Sequence, residues 1–451
     1  MISTRIRYST HLVLLLGPAV GARAAAQHPS RLTLDEAVRQ ALDHAPRLTA
    51  AHEVVAQAMG GRREALASRW PRLSLDGSVV RFEEPMIVAP FHAFDLTRVP
   101  RFDETLVQGS LGLGYTLFDG GQRGGRIGEA RALEQAAAFQ ARGVEQAVVA
   151  AAVQGYTGVL AAAEGLRAQE TRLVALLAEG DRVRRFLTEG RAARVEELRV
   201  DAALARARAD SSAAAARLDV AEAALARMLG LPRDNAAAAV LVPLRVTAAP
   251  PPDRADIALT VVAANPAMQA AQGRVAAAEA MVRAARAEWF PLVRLEGRTI
   301  TYGASEGSYT TEWQAGIRVA YPLFTGGGRV GAIQRARAAA REAQANLLDL
   351  EETLAGDADE VVAQVTDAHR RVEALRTAVA HLGEVVRTEA LALSEGAGVQ
   401  SDYLRAEAEV AGARAELAVA VSAEIVARVE LARLMGRLDR TMVGTIVESV
   451  P

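Results

Sequence analysis

The chain of 451 residues contains no cysteine and no lysine, and aromatic residues make up only 4% of it. Without cysteine there is no disulfide bond, no thiolate metal site and no N-terminal cysteine to carry a lipid. Because aromatic side chains are scarce, the composition favours long helices packed through small residues over a thick globular core.

The charge is nearly balanced. The chain has 52 basic residues, all of them arginine, and 54 acidic ones, which gives a net charge of −2. This balance gives no electrostatic basis for binding nucleic acid. The seven histidines have no metal-ligand spacing, and no group of side chains indicates catalysis. We therefore expect no enzymatic activity, no cofactor, no metal site and no nucleic-acid partner.

The N-terminal region has the pattern of a secretory signal. Two arginines precede an apolar stretch at 12–20, and alanines follow at 22 and 24–26. This pattern predicts a signal peptide over residues 1–26, cleaved after Ala24 or Ala26. The alternative, an uncleaved membrane helix, is disfavoured because about 20 apolar residues are needed to span a bilayer.

A strand-to-helix motif occurs twice, at 111–124 and 317–331. In each, apolar residues alternate, a Leu-Phe pair follows, and glycines lead into a long alanine-rich run. The apolar period changes from two to between three and four, which predicts a strand entering a helix with Asp119 or Thr325 as N-cap. The glycines at 326–331 resemble a dinucleotide-binding turn, but Pro322 in the supposed central strand argues against one.

Other landmarks also repeat. Asn265 and Pro266 follow Ala45 and Pro46 at a distance of 220 residues, and an aromatic residue followed by proline occurs at 70–71 and again at 290–291. Beyond the next two strands the distance falls to 206, so the first hairpin loop is the longer one. The chain is therefore predicted to be one architecture built twice.

The repeats and the segments around them have predicted limits. The first repeat covers 27–230, with an opening helix, a β-hairpin at 71–118, a long helix at 121–187 and a returning helix at 191–230. After a linker at 231–256, the second repeat covers 257–436, with an opening helix, a hairpin at 291–324, a long helix at 327–393 and a returning helix at 397–436; a tail follows at 437–451. At about 1.5 Å per residue each long helix spans roughly 100 Å, and its apolar spacing is typical of a coiled coil.

The strands alternate between apolar residues and polar or small ones. Arg294, Arg298 and Arg318 fall among the polar positions, and we expect them on the lumen side of a barrel. Such strands fit an outer-membrane barrel, although a soluble sandwich strand alternates in the same way. Four strands cannot close a bacterial outer-membrane barrel, which has at least eight, so a barrel would be shared between chains.

Taken together, the chain resembles the TolC-type outer-membrane efflux proteins. The resemblance rests on Pro46 and Pro266, the aromatic-proline steps at 70–71 and 290–291, the Leu-Phe-Asp-Gly-Gly and Leu-Phe-Thr-Gly-Gly segments at 117–121 and 323–327, and the breaks at Gly190 and Gly396. It implies an α+β membrane protein in which a long antiparallel α-helical coiled-coil barrel continues into a shared transmembrane β-barrel. Each chain would supply four strands, and a homotrimer twelve.

The resemblance implies a passive exit duct of a tripartite efflux or type I secretion system. Such a duct lies in the lipid of the outer membrane of a Gram-negative-type bacterium and extends far into the periplasm. Its partners are a periplasmic adaptor protein and an inner-membrane transporter. The alternative from another class is a periplasmic coiled-coil adaptor or scaffold without channel activity.

The resemblance also marks candidate residues at the two helix tips. Those for adaptor docking are Gly190, Leu198, Gly396, Asp402 and Leu404. The first tip departs from the family pattern, since two glutamates precede Leu198, whereas the second tip is closer to it. Glu389 and Glu395 are candidate acids for the channel entrance, and the competing interpretation is that both are ordinary solvated glutamates.

Overall fold

In the computed structural model, the residues described are 31–88, 97, 101–232, 240–247 and 254–449. The predicted signal peptide lies outside them, as do parts of the predicted first hairpin loop, linker and tail. The helices are α1 (Leu34–His44), α2 (Pro46–Ala67), α3 (Gln122–Thr188), α4 (Arg194–Leu229), α5 (Arg254–Ala264), α6 (Pro266–Ala287), α7 (Gly328–Ser394), α8 (Gln400–Leu434) and α9 (Arg440–Ile446). The strands are β1 (Arg31–Leu32), β2 (Arg72–Ile87), β3 (Phe102–Phe118), β4 (Val240–Leu241), β5 (Leu244–Val246), β6 (Leu292–Ala304), β7 (Tyr309–Ala320) and β8 (Val447–Ser449).

Helix α1 begins where Thr33 Oγ1 accepts the N–H of Glu36 at 3.3 Å. Thr33 and Glu36 have the spacing of a capping box, but it is only half formed, because the Glu36 carboxylate binds Arg39 and Gln40 instead of the Thr33 N–H. Proline at the first position of α2 costs no hydrogen bond, since that N–H would have no partner within the helix.

The prediction of Asp119 and Thr325 as N-caps was wrong in position. Gly121 and Gly327 occupy the N-cap positions with φ of 94° and 84°, a left-handed backbone that favours glycine. Asp119 still helps from two residues earlier, since its carboxylate accepts the N–H groups of Gly121 and Arg123, each at 3.0 Å. The side chain of Thr325 is one bond shorter than that of Asp119, and its hydroxyl makes no cap hydrogen bond in this described turn.

The four long strands form one antiparallel sheet in the order β2-β3-β6-β7. The two hairpins have equivalent registers: Arg72 pairs with Gly114, and the residues 220 and 206 positions further on, Leu292 and Ala320, also pair. β3 continues to Phe118, which lies opposite Val293, whereas β7 ends at Ala320. Within the described chain, no strand lies beside the residues that follow Ala320.

Helices α3 and α7 have 67 residues each and form the long axis of the molecule. α3 packs against α2, α4, α6 and α8, while α7 packs against α5, α6 and α8. Small residues allow close approach at these crossings. A Cβ at Gly125 in α3 would lie 2.7 Å from the Cβ of Ala284 in α6, so the two backbones nearly touch.

Two small two-stranded sheets lie beside the middle of α3, and we call them the belt. β1 pairs in parallel with β4, and β5 pairs antiparallel with β8, so the start of the chain, the linker and the tail meet there. The side chains of these strands and of the helices form one core. Its most buried members include Val38, Val153, Tyr156, Leu229 and Ile425. Hydrogen bonds from Arg440 hold the tail to α1 and lower the pKa of the Asp35 carboxyl.

Candidate functional site

One face of the four-stranded sheet is polar. The register brings Arg298 opposite both Gly112 and Gln314, and Arg294 opposite Arg318. The face forms an open recess of about 660 Å³ lined by Arg72, Ser74, Gly112, Glu296, Arg298, Gln314, Gly316 and Arg318 among others. The three arginines named from the sequence therefore share one face of the sheet. That this face lines a lumen remains a prediction.

Glu296 is a polar-face residue that the list of candidates did not include. Its Oε2 lies 2.8 Å from Nε of Arg318 on the neighbouring strand. The ion pair connects β6 to β7 and offsets part of the positive charge of the arginine cluster. Glu296 lies two residues from both Arg294 and Arg298, so the alternation of the strand places it on their face.

The opposite face is apolar and exposed across all four strands. Its exposed members are Leu73, Leu75 and Val79 on β2, Leu111 and Leu113 on β3, Leu295 on β6, and Trp313, Ile317 and Val319 on β7. The two leucines of β2 were not named from the sequence, although they alternate with polar residues in the same way as those of β3. A soluble monomer rarely leaves so large an apolar surface uncovered.

Both edges of the sheet are open in the described chain. β2 pairs with β3 alone, and β7 pairs with β6 alone. Open edges present rows of unpaired N–H and C=O groups, which hydrocarbon cannot satisfy. A sheet with an apolar face in a membrane must therefore find further strands to pair with.

The two helix tips are built alike. Gly190 and Gly396 have φ of 71° and 74°, and the next N–H groups bond back to Phe186 and Ala392, residues that are 206 apart. Glycine ends each long helix because other residues rarely adopt this backbone conformation. The predicted breaks are thus tight turns.

The tips lie side by side at one end of the molecule. Hydrogen bonds to Glu179, together with the nearby charges of Asp402 and Glu196, raise the pKa of the Arg182 guanidinium in α3. Asp402 also lies 3.8 Å from Arg405. Leu198 is exposed on α4, whereas Leu404 is half-buried. The tip candidates therefore form a neighbouring set, with Leu198 its accessible apolar member.

The two candidate entrance acids do not form one cluster. Glu389 is half-buried within α7, and Glu395 is exposed just after the helix. Six residues separate them, so at 3.6 residues per turn they point about 120° apart. Neither has an ion-pair partner among the described residues. A single ring of acids around an opening would include only one of them from each chain.

Known proteins match the chain in sequence family and in fold. The model of the family described as outer membrane efflux protein matches residues 37–231 and 260–437. No curated protein sequence matches the chain.

Solved structures of bacterial outer-membrane proteins share its fold. VceC from Vibrio cholerae is 19% identical with a TM-score of 0.73, over 89% of this chain and 96% of that one. The outer membrane channel CmeC of Campylobacter jejuni is 16% identical with a TM-score of 0.73, over 91% and 88% of the two chains. The open state of the MtrE outer membrane channel of Neisseria gonorrhoeae is 19% identical with a TM-score of 0.68, over 90% of each chain.

These findings favour the channel over the periplasmic scaffold considered from the sequence. The solved relatives are described as outer-membrane proteins or channels, and none is described as an enzyme. The family match covers both hairpins and both long helices. The chain belongs to the outer membrane efflux protein family, and it is a protein of the outer membrane with an extension into the periplasm.

Proposed function

We propose that three copies of this chain form the exit duct of a tripartite efflux or type I secretion system. The observation that carries the proposal is the four-stranded sheet with an apolar face, a polar face and two open edges. In a bilayer the apolar face meets lipid, the polar face lines water, and the edges must pair with strands of other copies.

The number of copies follows from the size of the opening. Two chains would supply eight strands, and the interior of an eight-stranded barrel is filled by its own side chains. Three chains supply twelve strands, which leaves room for cargo inside a ring of polar residues. Arg294, Arg298 and Arg318 then belong to the wall of that opening, with Glu296 as counter-charge.

The helices extend the duct into the periplasm. α3 and α7 are each roughly 100 Å long at 1.5 Å per residue, so they reach far from the membrane. The tips carry exposed apolar side chains, Val195, Leu198, Leu391 and Val399, at the end remote from the sheet. We assign these tips to a periplasmic adaptor, which connects the duct to an inner-membrane transporter. The duct itself is passive, because energy is supplied by the transporter.

The test is the mass of the purified protein in mild detergent together with its conductance in a planar bilayer. We expect a mass of three chains and stepwise currents. A water-soluble monomer without current would overturn the proposal and return attention to the scaffold.

A silent trimer would indicate a closed entrance. In that case Glu389→Gln and Glu395→Gln are compared, since the two side chains point in different directions. Opening by one substitution alone would identify the entrance acid. If neither substitution produced current, the assignment of both residues to the entrance would be wrong.

A further inference from the structure

The open recess of about 660 Å³ on the polar face has arginines on one side and small residues on the other, and we call it the basic recess. Arg298 and Arg318 come from β6 and β7, and Gly114 lies beside them on β3. Nothing lies within 4 Å of a Cβ built on Gly114 or Gly316, so the space above these glycines is free. A volume of this size is typical of sites for small molecules.

The two hairpins differ in charge on this face. Three positions that carry arginine in the second hairpin carry serine or glycine in the first. The pairs are Arg294 and Ser74, Arg298 and Ser78, and Arg318 and Gly112. Because the registers of the hairpins are equivalent, these residues occupy equivalent places on the face. The positive charge is therefore concentrated on β6 and β7, beside strands whose small side chains leave room.

Most of this positive charge has no acidic partner. Glu296 pairs with Arg318 at 2.8 Å. Within the described chain, no carboxylate lies at ion-pair distance from Arg72, Arg294 or Arg298. A guanidinium group that is not paired within the protein can bind a carboxylate or a phosphate through two parallel hydrogen bonds. The recess therefore has the donors that an anion requires.

A row of acids bounds the basic recess on the side away from the long helices. Asp76 lies opposite Ser110, Ser110 opposite Ile300, and Ile300 opposite Glu312. This row is two residues beyond Arg298 along β6, so it lies on the same face. The change of sign confines the attraction for anions to the half of the sheet nearest the helices.

We infer that the basic recess binds an anionic group of the cargo, a carboxylate or a phosphate, on its way into the barrel. Arg72 and Arg298 supply charged donors, and Ser74 and Gln314 supply neutral donors beside them. The inference rests on the proposed duct and names the class of solute that the duct favours, small organic anions. The recess lies within one chain, so each copy carries a complete site.

The first test is the ion selectivity of the duct in a planar bilayer with unequal potassium chloride on its two sides. We expect the reversal potential to show a preference for chloride, and Arg298→Ser to reduce it. The control is Arg81→Ser, which removes the same charge from the opposite face, where Arg81 pairs with Glu104. We expect no change from this control. A preference for potassium, or a chloride preference that Arg298→Ser leaves unchanged, would overturn the inference.

The second test measures binding and does not depend on current. Citrate, as a carboxylate probe, and pyrophosphate, as a phosphate probe, are titrated by calorimetry into the purified protein in mild detergent. We expect at least one probe to bind the native protein and Arg81→Ser equally. Arg298→Ser should weaken this binding about fivefold, as expected for the loss of one exposed ion pair. Absence of binding by both probes, or equal binding by native protein and Arg298→Ser, would overturn the inference.

Failure of the basic recess is distinguishable from failure of the proposed duct. Trimers that conduct without a chloride preference and bind neither probe would overturn the recess and leave the duct. A water-soluble monomer without current whose probe binding depends on Arg298 would uphold the recess and refute the duct. Should Arg298→Ser fail to fold, Arg72→Ser tests the same recess from β2, with the same expected loss of binding; unchanged binding would then overturn the inference.

Discussion

The hydroxyl of Tyr156 accepts the backbone N–H of Val242 at 2.8 Å, which joins the middle of the long helix α3 to the linker between the repeats. The same oxygen lies 2.8 Å from the carbonyl oxygen of Leu32 and 2.9 Å from that of Val242. The Tyr156 ring is completely buried. One side chain therefore holds the N-terminal strand and the linker against the helix.

Tyr156→Phe should destabilise the belt while preserving its shape. The substitution removes the hydrogen bonds of the hydroxyl, while the Val242 N–H keeps the Leu32 carbonyl as an acceptor at 3.2 Å, so the loss should cost about 0.5–1.5 kcal/mol. The melting temperature and the resistance of the linker to limited proteolysis should both fall. Tyr403→Phe is the control, because its hydroxyl binds Glu407 on a helix surface and its loss should cost about 0.5 kcal/mol or less. Equal effects of the two substitutions would contradict this role of Tyr156.

The same tyrosine should make the belt sensitive to alkali. Burial raises the pKa of Tyr156 to about 12, whereas an unfolded tyrosine loses its proton near pH 10. Because the folded state holds the proton more tightly, its stabilising effect is complete below about pH 10 and is lost as pH rises towards about 12. The difference in unfolding free energy between the native protein and Tyr156→Phe should therefore narrow over this interval. A constant difference would contradict the assignment.

Arginine introduced on the two faces of β7 should have opposite consequences. Ile317→Arg places a charge on the apolar face, which costs about 2–4 kcal/mol at the middle of a bilayer. Gly316→Arg, one residue earlier, faces Glu296, and nothing lies within 4 Å of its Cβ position. We expect the first variant to reduce the amount of heat-resistant oligomer in outer membranes and the second to leave it nearly unchanged. The reverse order would mean that the lipid and lumen faces are exchanged.

Leu198→Asp should weaken adaptor binding without unfolding the helices. Leu198 is an exposed apolar side chain near the first helix tip. Burying it against a partner is more favourable than leaving it in water. Loss of a central apolar contact typically costs more than 1 kcal/mol, so binding of the adaptor should weaken at least about fivefold. Ser212→Asp is the control, on nearly the same face of α4 but about 21 Å from Leu198 at 1.5 Å per residue. Binding measured on the purified duct should change only for the first variant.

Glu424→Gln should destabilise the packing of α7 on α8. Glu424 is buried, and its Oε1 lies 3.0 Å from His369 Nδ1 and 2.8 Å from a terminal nitrogen of Arg428. Removing the negative charge of Glu424 leaves the buried guanidinium of Arg428 with less compensating charge, at a cost of about 3 kcal/mol. Glu430→Gln, in a half-exposed pair with Arg433, should cost about 1 kcal/mol or less. Urea unfolding followed by circular dichroism compares the two, and equal midpoints would be contrary to expectation.

Much of the architecture could be predicted because it depends on neighbours in sequence. The change of apolar period at 117–121 and 323–327 indicated the strand-to-helix steps, and the structure has helices beginning at Gln122 and Gly328. The glycines at the tips indicated breaks, since few residues adopt their backbone conformation. The N-caps were predicted two residues too early. The two glycines that follow Asp119 make the turn, and the second of them occupies the N-cap position.

Family membership and the outer-membrane location, expected from the resemblance, were confirmed by the family match. The candidate tip, entrance and lumen residues stay predictions. The sequence named Arg294, Arg298 and Arg318 but not the counter-charge of Glu296, because a cross-strand ion pair depends on register. The buried groups Tyr156 and Glu424 were also missed, since their partners lie 86 and 55 residues away.

The sequence by itself determined the repeat, the element types and the alternation of the strands, since each depends on residue order over a few turns or one strand. Only the tertiary structure decided that β3 pairs with β6, so that β2 and β7 are the open edges. Alternation is the same in all four strands and cannot choose among pairings. That choice depends on packing between distant segments, here the contact of Phe118 with Phe290 and the close approach of α3 to α6.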